Sequence, residues 1–135
     1  MSHFTRLKTR LTDQAALVKA LADVGYKLVE VHDTPQHLYG YGGDRRAQTA
    51  EVIVRRKYVG KASNDIGFRR TDDGSFEAII SLFDRLKHSR GWLRRLTQRY
   101  AYHVARAKLK EQGFDLVSEE TAKDGRIHLV LRRLA

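Results

Sequence analysis

The chain has 135 residues, 41% of them hydrophobic, and carries 26 Lys and Arg against 16 Asp and Glu, for a net charge of +10 with no Cys. That length suits one compact domain over residues 1–135 with apolar residues enough for a core. Without Cys there are no disulfides or thiolate metal sites. No apolar run approaches the ~20 residues that span a bilayer, and the first residues lack the apolar segment of a signal peptide, so a cytoplasmic protein is expected.

The alternation in Phe4-Thr-Arg-Leu-Lys-Thr-Arg-Leu11 predicts a first strand. Thr12 or Asp13 can cap a helix whose apolar positions are Ala16, Leu17, Ala20, Leu21 and Val24, and Gly25 ends it. Tyr26 to Val31 reads as the next strand. Residues 32–50 hold the only Pro and the run Tyr39-Gly-Tyr-Gly-Gly-Asp-Arg-Arg46. Neither helical nor strand periodicity is present, so this stretch is expected to be mostly an inserted Gly-rich loop. Glu51 to Arg56 reads as a strand, and Asp65 to Arg70 and Ser75 to Ser81 form a hairpin turned by Thr71-Asp-Asp-Gly74. Leu82 to Arg90 suggests a short helical turn, with Ser89 as cap of the next helix. Phe114 to Glu119 and Gly125 to Arg133 form a final hairpin.

The longest helical pattern runs from Trp92 to Gly113. At about 100° per residue, Leu93, Leu96, Tyr100, Val104 and Ala107 share one stripe, and Arg95, Arg99, Tyr102, Arg106 and Lys110 lie opposite. From Arg85 to Lys110 there are nine Lys or Arg and no Asp or Glu. That field suits an acidic partner. Trp92 reads as a core or hinge anchor rather than a ligand-binding platform. Leu109 turns away from the apolar stripe, so either it is exposed or another segment covers the helix end and Tyr102 with it.

The two halves resemble each other. Val24-Gly-Tyr-Lys-Leu-Val-Glu30 parallels Gln112-Gly-Phe-Asp-Leu-Val-Ser118, and Glu51-Val-Ile-Val-Arg-Arg56 parallels His128-Leu-Val-Leu-Arg-Arg133. This predicts a βαββ pseudo-repeat, residues 4–56 and 75–133, with the loop at 32–50 inserted in the first copy. The expected fold is α+β: one antiparallel sheet built from two βαββ repeats, with both helices on one face.

No catalytic signature is present. The six His form no i, i+4 pair or His-Glu-x-x-His pattern, and no metal or cofactor site is assigned: His3, His32 and His128 would make one conceivable only if the duplicated strands placed them near each other, and separate ordinary roles are expected. Gly40 to Gly43 followed by Arg45 and Arg46 could offer N–H groups and cations to a phosphate, but lacks the Gly-Lys-Ser/Thr ending of a P-loop.

Met1-Ser-His-Phe-Thr5, Asp65-Ile-Gly-Phe68, Leu96-Thr-Gln-Arg-Tyr-Ala-Tyr-His103 and Leu129-Val-Leu-Arg-Arg133 together resemble the hypothetical chloroplast open reading frame family of cyanobacteria and red-algal plastids. That family is a domain of unknown function, and the resemblance spans nearly the whole chain. It implies no established activity, and as a partner it implies an AAA-type ATPase. The chain departs from the family pattern at Ser81-Leu-Phe-Asp-Arg85, where relatives carry an Asp-Trp-Trp-like segment.

These features support three functions. The first is a non-catalytic accessory module that binds an acidic protein partner, or assembles with itself, through the basic helix face. The second is nucleic-acid binding by Arg95, Arg99, Tyr102, Arg106 and Lys110 together with Arg45 and Arg46, its affinity falling with salt by about 0.7–0.9 log units per contacted phosphate per log unit of salt. The third is a small-molecule-binding protein or an enzyme without a recognisable motif.

Overall fold

The structure, a computed structural model, describes residues 3–134; Met1, Ser2 and Ala135 of the expected domain span lie outside it. The elements are β1 (Phe4–Lys8), α1 (Gln14–Asp23), β2 (Glu30–Tyr39), β3 (Arg45–Val54), the short α2 (Arg56–Val59), β4 (Ile66–Arg70), β5 (Phe76–Ser81), α3 (Arg90–Glu111), β6 (Phe114–Thr121) and β7 (Ile127–Arg133). A 3-10 turn, Asp84–Leu86, precedes α3. Five strands form an antiparallel sheet in the order β1-β5-β4-β3-β2, and β6 and β7 pair separately.

Alternation along the strands divides the core. Val52, Val54, Phe68, Ala78 and Ile80 point to the face that carries both longer helices, where they meet Leu17 and Leu21 of α1 and Trp92 and Leu96 of α3. Ile53 and Ile79 point the other way and pack with Leu38, Ala50 and Phe4. The α+β class and the placement of both helices on one face agree with the sequence. Asp13 caps α1 by accepting from the Ala16 N–H at 3.1 Å, and Trp92 is a buried core anchor.

Two expectations are corrected. Residues 32–50 are not mostly loop: β2 runs to Tyr39 and β3 begins at Arg45, so the turn occupies only 40–44. The strand is hard to read because β2 is a sheet edge, with polar residues on its open side. Pro35 sits between the paired positions Val31 and Gln36, where the register shifts and no ladder N–H is demanded of it. The distal part of this hairpin curls over the outer sheet face, bringing Leu38 onto that face and the Arg46 guanidinium over the Phe4 ring of β1. The sheet's own strands thus cover its outer face.

Gly67 makes this curl fit. A Cβ there would stand 2.8 Å from the Ala50 Cβ and 3.0 Å from a Leu38 methyl. Gly67→Ala should therefore cost about 1–3 kcal/mol as an overpacked core position. A urea midpoint equal to that of the unmodified protein would count against this packing.

The second correction concerns the single sheet. The order β1-α1-β2-β3 does recur as β5-α3-β6-β7, but β6 and β7 stay out of the main sheet, so the two halves do not build a single sheet. Helix length explains it: α3 has 22 residues and α1 has 10, a difference of about 18 Å at 1.5 Å per residue. The longer helix offers the β6–β7 hairpin a surface of its own, and the hairpin lies along α3 instead.

Candidate partner-binding groove

The site is built on α3. Ser89 caps it by accepting from the Trp92 N–H at 3.4 Å. Trp92 packs edge-on against the buried His88 ring and against Tyr26. From the next turns, the Tyr100 hydroxyl accepts the N–H groups of Thr12 and Asp13 at 2.9 and 2.8 Å, fixing the start of α1 to α3. Asp23, at the other end of α1, accepts from Arg99 Nε at 2.8 Å and His103 Nε2 at 2.6 Å. Burial by itself would raise the Asp23 carboxyl, but the hydrogen bonds from Arg99 and His103 outweigh it and hold it below the ordinary range.

His88 is held by the turn before α3. Its Nδ1–H donates to the Asp84 carbonyl at 3.2 Å, so Nε2 is the acceptor for the Tyr26 hydroxyl at 2.5 Å. Burial pushes His88 below the ordinary histidine value of 6.5. Below pH 6.5 the unfolded chain therefore binds more protons than the folded one, so this contribution to stability is complete above that pH and is lost as pH falls below it. An NMR titration should place the His88 midpoint below 6.5; a midpoint at or above 6.5 would refute this reading.

The β6–β7 hairpin lies along α3 and changes what the basic face presents. Tyr102, expected on the outer face, is 5% exposed. Arg99 stacks 4.3 Å from its ring centroid, and Arg106 Nη1 donates to its hydroxyl at 3.0 Å. Burial, reinforced by nearby Glu119, raises the Tyr102 hydroxyl above its ordinary value. Leu109 is half-buried beside Leu116 and Leu129. Of the two alternatives for Leu109, the covered helix end is the one found.

Arg99, Tyr102, His103 and Asp23 thus form a partition, with an opening on each side. Toward the start of α3 lies a groove of about 690 Å³ walled by α1's end, α3 and the hairpin tip, with Arg94, Arg95 and Lys123 at its edges. The tip sits against the amide end of the Gln98 side chain, and the φ of +89° at Gly125 favours glycine there. Toward the end of α3 lies a cavity of about 450 Å³ that includes Arg106 and Lys110. Of the five residues predicted on α3, Arg95 borders the first opening, Arg106 and Lys110 the second, and Arg99 and Tyr102 are committed between them.

Arg45 and Arg46 do not join this site. They belong to the curled hairpin on the opposite sheet face, where Arg46 lies over Phe4 and 3.7 Å from Asp44. No phosphate cradle forms at Gly40 to Gly43: the Gly40 and Gly43 N–H groups donate to the carbonyls of Asp44 and Gly40, and the Tyr41 N–H donates to Asn64 Oδ1. His32 pairs with Glu30, and the Nδ1–H of His37 donates to the Arg46 carbonyl. Among the described residues no group of three or more His, Cys, Asp or Glu has the arrangement to hold a metal. Arg94 and Lys123 were missed in the sequence. Arg94 was available as part of the basic run, whereas nothing local to Lys123 signals that the hairpin tip returns to α3.

The molecule is an α+β protein with a basic groove between its longest helix and a returning hairpin. It belongs to the family described as "Protein of unknown function (DUF1257)", which matches residues 20–130. Nearly the whole chain is similar to the uncharacterized protein ycf35. It is 29% identical to that of Cyanophora paradoxa, 26% to that of Pyropia yezoensis and 27% to that of Guillardia theta, each over 134 residues covering 98% of both chains. No solved structure matches. These relatives bear out the resemblance carried by the motifs. No helix among the described residues is long and apolar enough to cross a membrane.

Proposed function

We propose that this protein is a cytoplasmic, non-catalytic accessory module that binds an acidic protein partner, with the groove beside the first half of α3 receiving the partner's carboxylates. The observation that carries this reading is the groove's charge balance. Its carboxylates are already matched, Asp23 by Arg99 and His103, and Asp124 by Arg126 at 2.7 Å. Arg94, Arg95 and Lys123 have no ion pair or hydrogen bond among the described residues. Arginine forks of this kind bind carboxylates bidentately.

Nucleic-acid binding is the second reading, supported by the same cations. Burial of Tyr102 weakens it, because single-strand binding draws on exposed aromatic faces for stacking. Affinity purification of the tagged protein from its native cell, with and without nuclease, separates the two. Recovery of one stoichiometric protein after nuclease, and its loss in an R94E/R95E/K123E variant, supports the acidic-partner reading. An AAA-type ATPase would fit that position. Loss of every partner on nuclease treatment, with filter binding to RNA that weakens with salt, would replace it by the second.

A further inference from the structure

We propose that the opening at the far end of α3 binds a small amphipathic anion, a molecule with an alkyl or aryl body and a single anionic head. The hairpin supplies the first reason. A two-stranded hairpin is marginal in water unless one face is packed, yet no residue of 114–133 is fully buried. Its inward apolar residues Leu116, Leu129 and Leu131 line the cavity of about 450 Å³ instead of closing onto α3. That volume lies in the range of small-molecule sites, roughly 300–1,000 Å³, and it has three walls: α1, α3 and the hairpin. An apolar body in it would complete the packing that the hairpin lacks.

The rim supplies the second reason. Lys19 of α1 reaches it from one side, and Arg106 and Lys110 of α3 from another. Lys19 and Lys110 have no partner among the described residues, and Arg106 has committed one N–H group to the Tyr102 hydroxyl. The carboxylate that lines the cavity, Asp115, lies 3.5 Å from Arg132. Apolar walls under an unmatched cationic rim select a ligand that is apolar at one end and anionic at the other. Inorganic phosphate would leave the leucines wet, and a neutral alcohol would leave the lysines unpaired.

Decanoate, kept below the concentration at which it forms micelles, tests this with the full chain. Titration followed by methyl NMR should shift Leu116, Leu129 and Leu131 saturably, with a dissociation constant at or below about 1 mM, a scale on which tenfold changes are readily measured. K19E/K110E changes two exposed residues and should weaken decanoate at least tenfold while leaving the thermal midpoint nearly unchanged. Decanol and inorganic phosphate should each bind at least tenfold more weakly than decanoate. R94E/R95E should leave decanoate binding intact, so this site and the partner groove fail or stand separately. The proposal is overturned by the absence of saturable shifts at these three leucines, by equal binding of decanol, or by full affinity in K19E/K110E. Shifts confined to the exposed Leu82, Phe83 and Leu86 would overturn it also, as adsorption to surface apolar groups.

Discussion

Arg55→Ala is expected to destabilise the protein by about 3–5 kcal/mol, the cost of stripping the partner from a buried charge. Asp65 is fully buried at the entry to β4. Its Oδ2 accepts from Arg55 Nη1 at 2.8 Å and the Tyr39 N–H at 2.7 Å, and its Oδ1 from the Arg56 N–H at 2.6 Å. Without the guanidinium two backbone donors remain, but no countercharge. The same guanidinium holds Glu30 through Nε and Nη2 at 2.8 and 2.9 Å and donates to the His37 carbonyl at 3.1 Å. Hydrogen bonding to Arg55 lowers the Glu30 carboxyl to about 2, so both strands of the curled hairpin are tied to the start of β4 through one side chain. Arg55→Lys should lose less, since it keeps the charge but not the fork. Urea denaturation measures both; a change under about 1 kcal/mol in Arg55→Ala would mean that Asp65 does not depend on this ion pair.

The second large effect is expected at Asp84→Ala, about 3 kcal/mol, from orphaning several buried donors at once. Asp84 is buried, and its Oδ2 accepts from the Asn64 N–H at 3.0 Å, Asn64 Nδ2 at 3.3 Å and Ser81 Oγ at 2.7 Å. This network pins the loop before β4 to the end of β5. It also sets the 3-10 turn so that Asp84 points inward while Leu82, Phe83 and Leu86 stand 56%, 52% and 89% exposed. Amide exchange should therefore quicken at Asn64 and His88 in the variant, the latter because its N–H donates to the Asp84 carbonyl at 2.7 Å. Unchanged exchange at both would show that the network does not hold the turn.

Most of the secondary structure was legible because local chemistry dictates it. Asp13 and Ser89 cap helices from the positions that the apolar spacing implied, and Gly25 and Gly113 end them. The Thr71 to Gly74 turn closes by the Thr71 N–H donating to the Ser75 carbonyl at 2.8 Å. Failure came at β2, where a polar edge strand with a proline carries no periodicity to read. The candidate site was legible in its cations but not in their use. Arg99 and Tyr102 look as free as Arg95 in a helical wheel, since a wheel contains no Asp23 from α1 and no hairpin lying across the helix.

By itself the sequence determined an α+β protein with a long basic helix, its caps and turns, and its kinship with a family of relatives spanning the whole chain. Those properties come from spacing of a few residues and from composition, which no tertiary contact alters. Tertiary structure decided which faces stay exposed. It folded the supposed Gly-rich loop into strands over the outer sheet face, kept β6 and β7 off the sheet, and laid their hairpin on α3. The expected continuous basic stripe thereby became two openings separated by Asp23, Arg99 and Tyr102. The physical reason is reach: α3 has 22 residues against 10 in α1, so the strands that follow it pair with each other alongside α3, outside the main sheet, and cover its aromatic Tyr102.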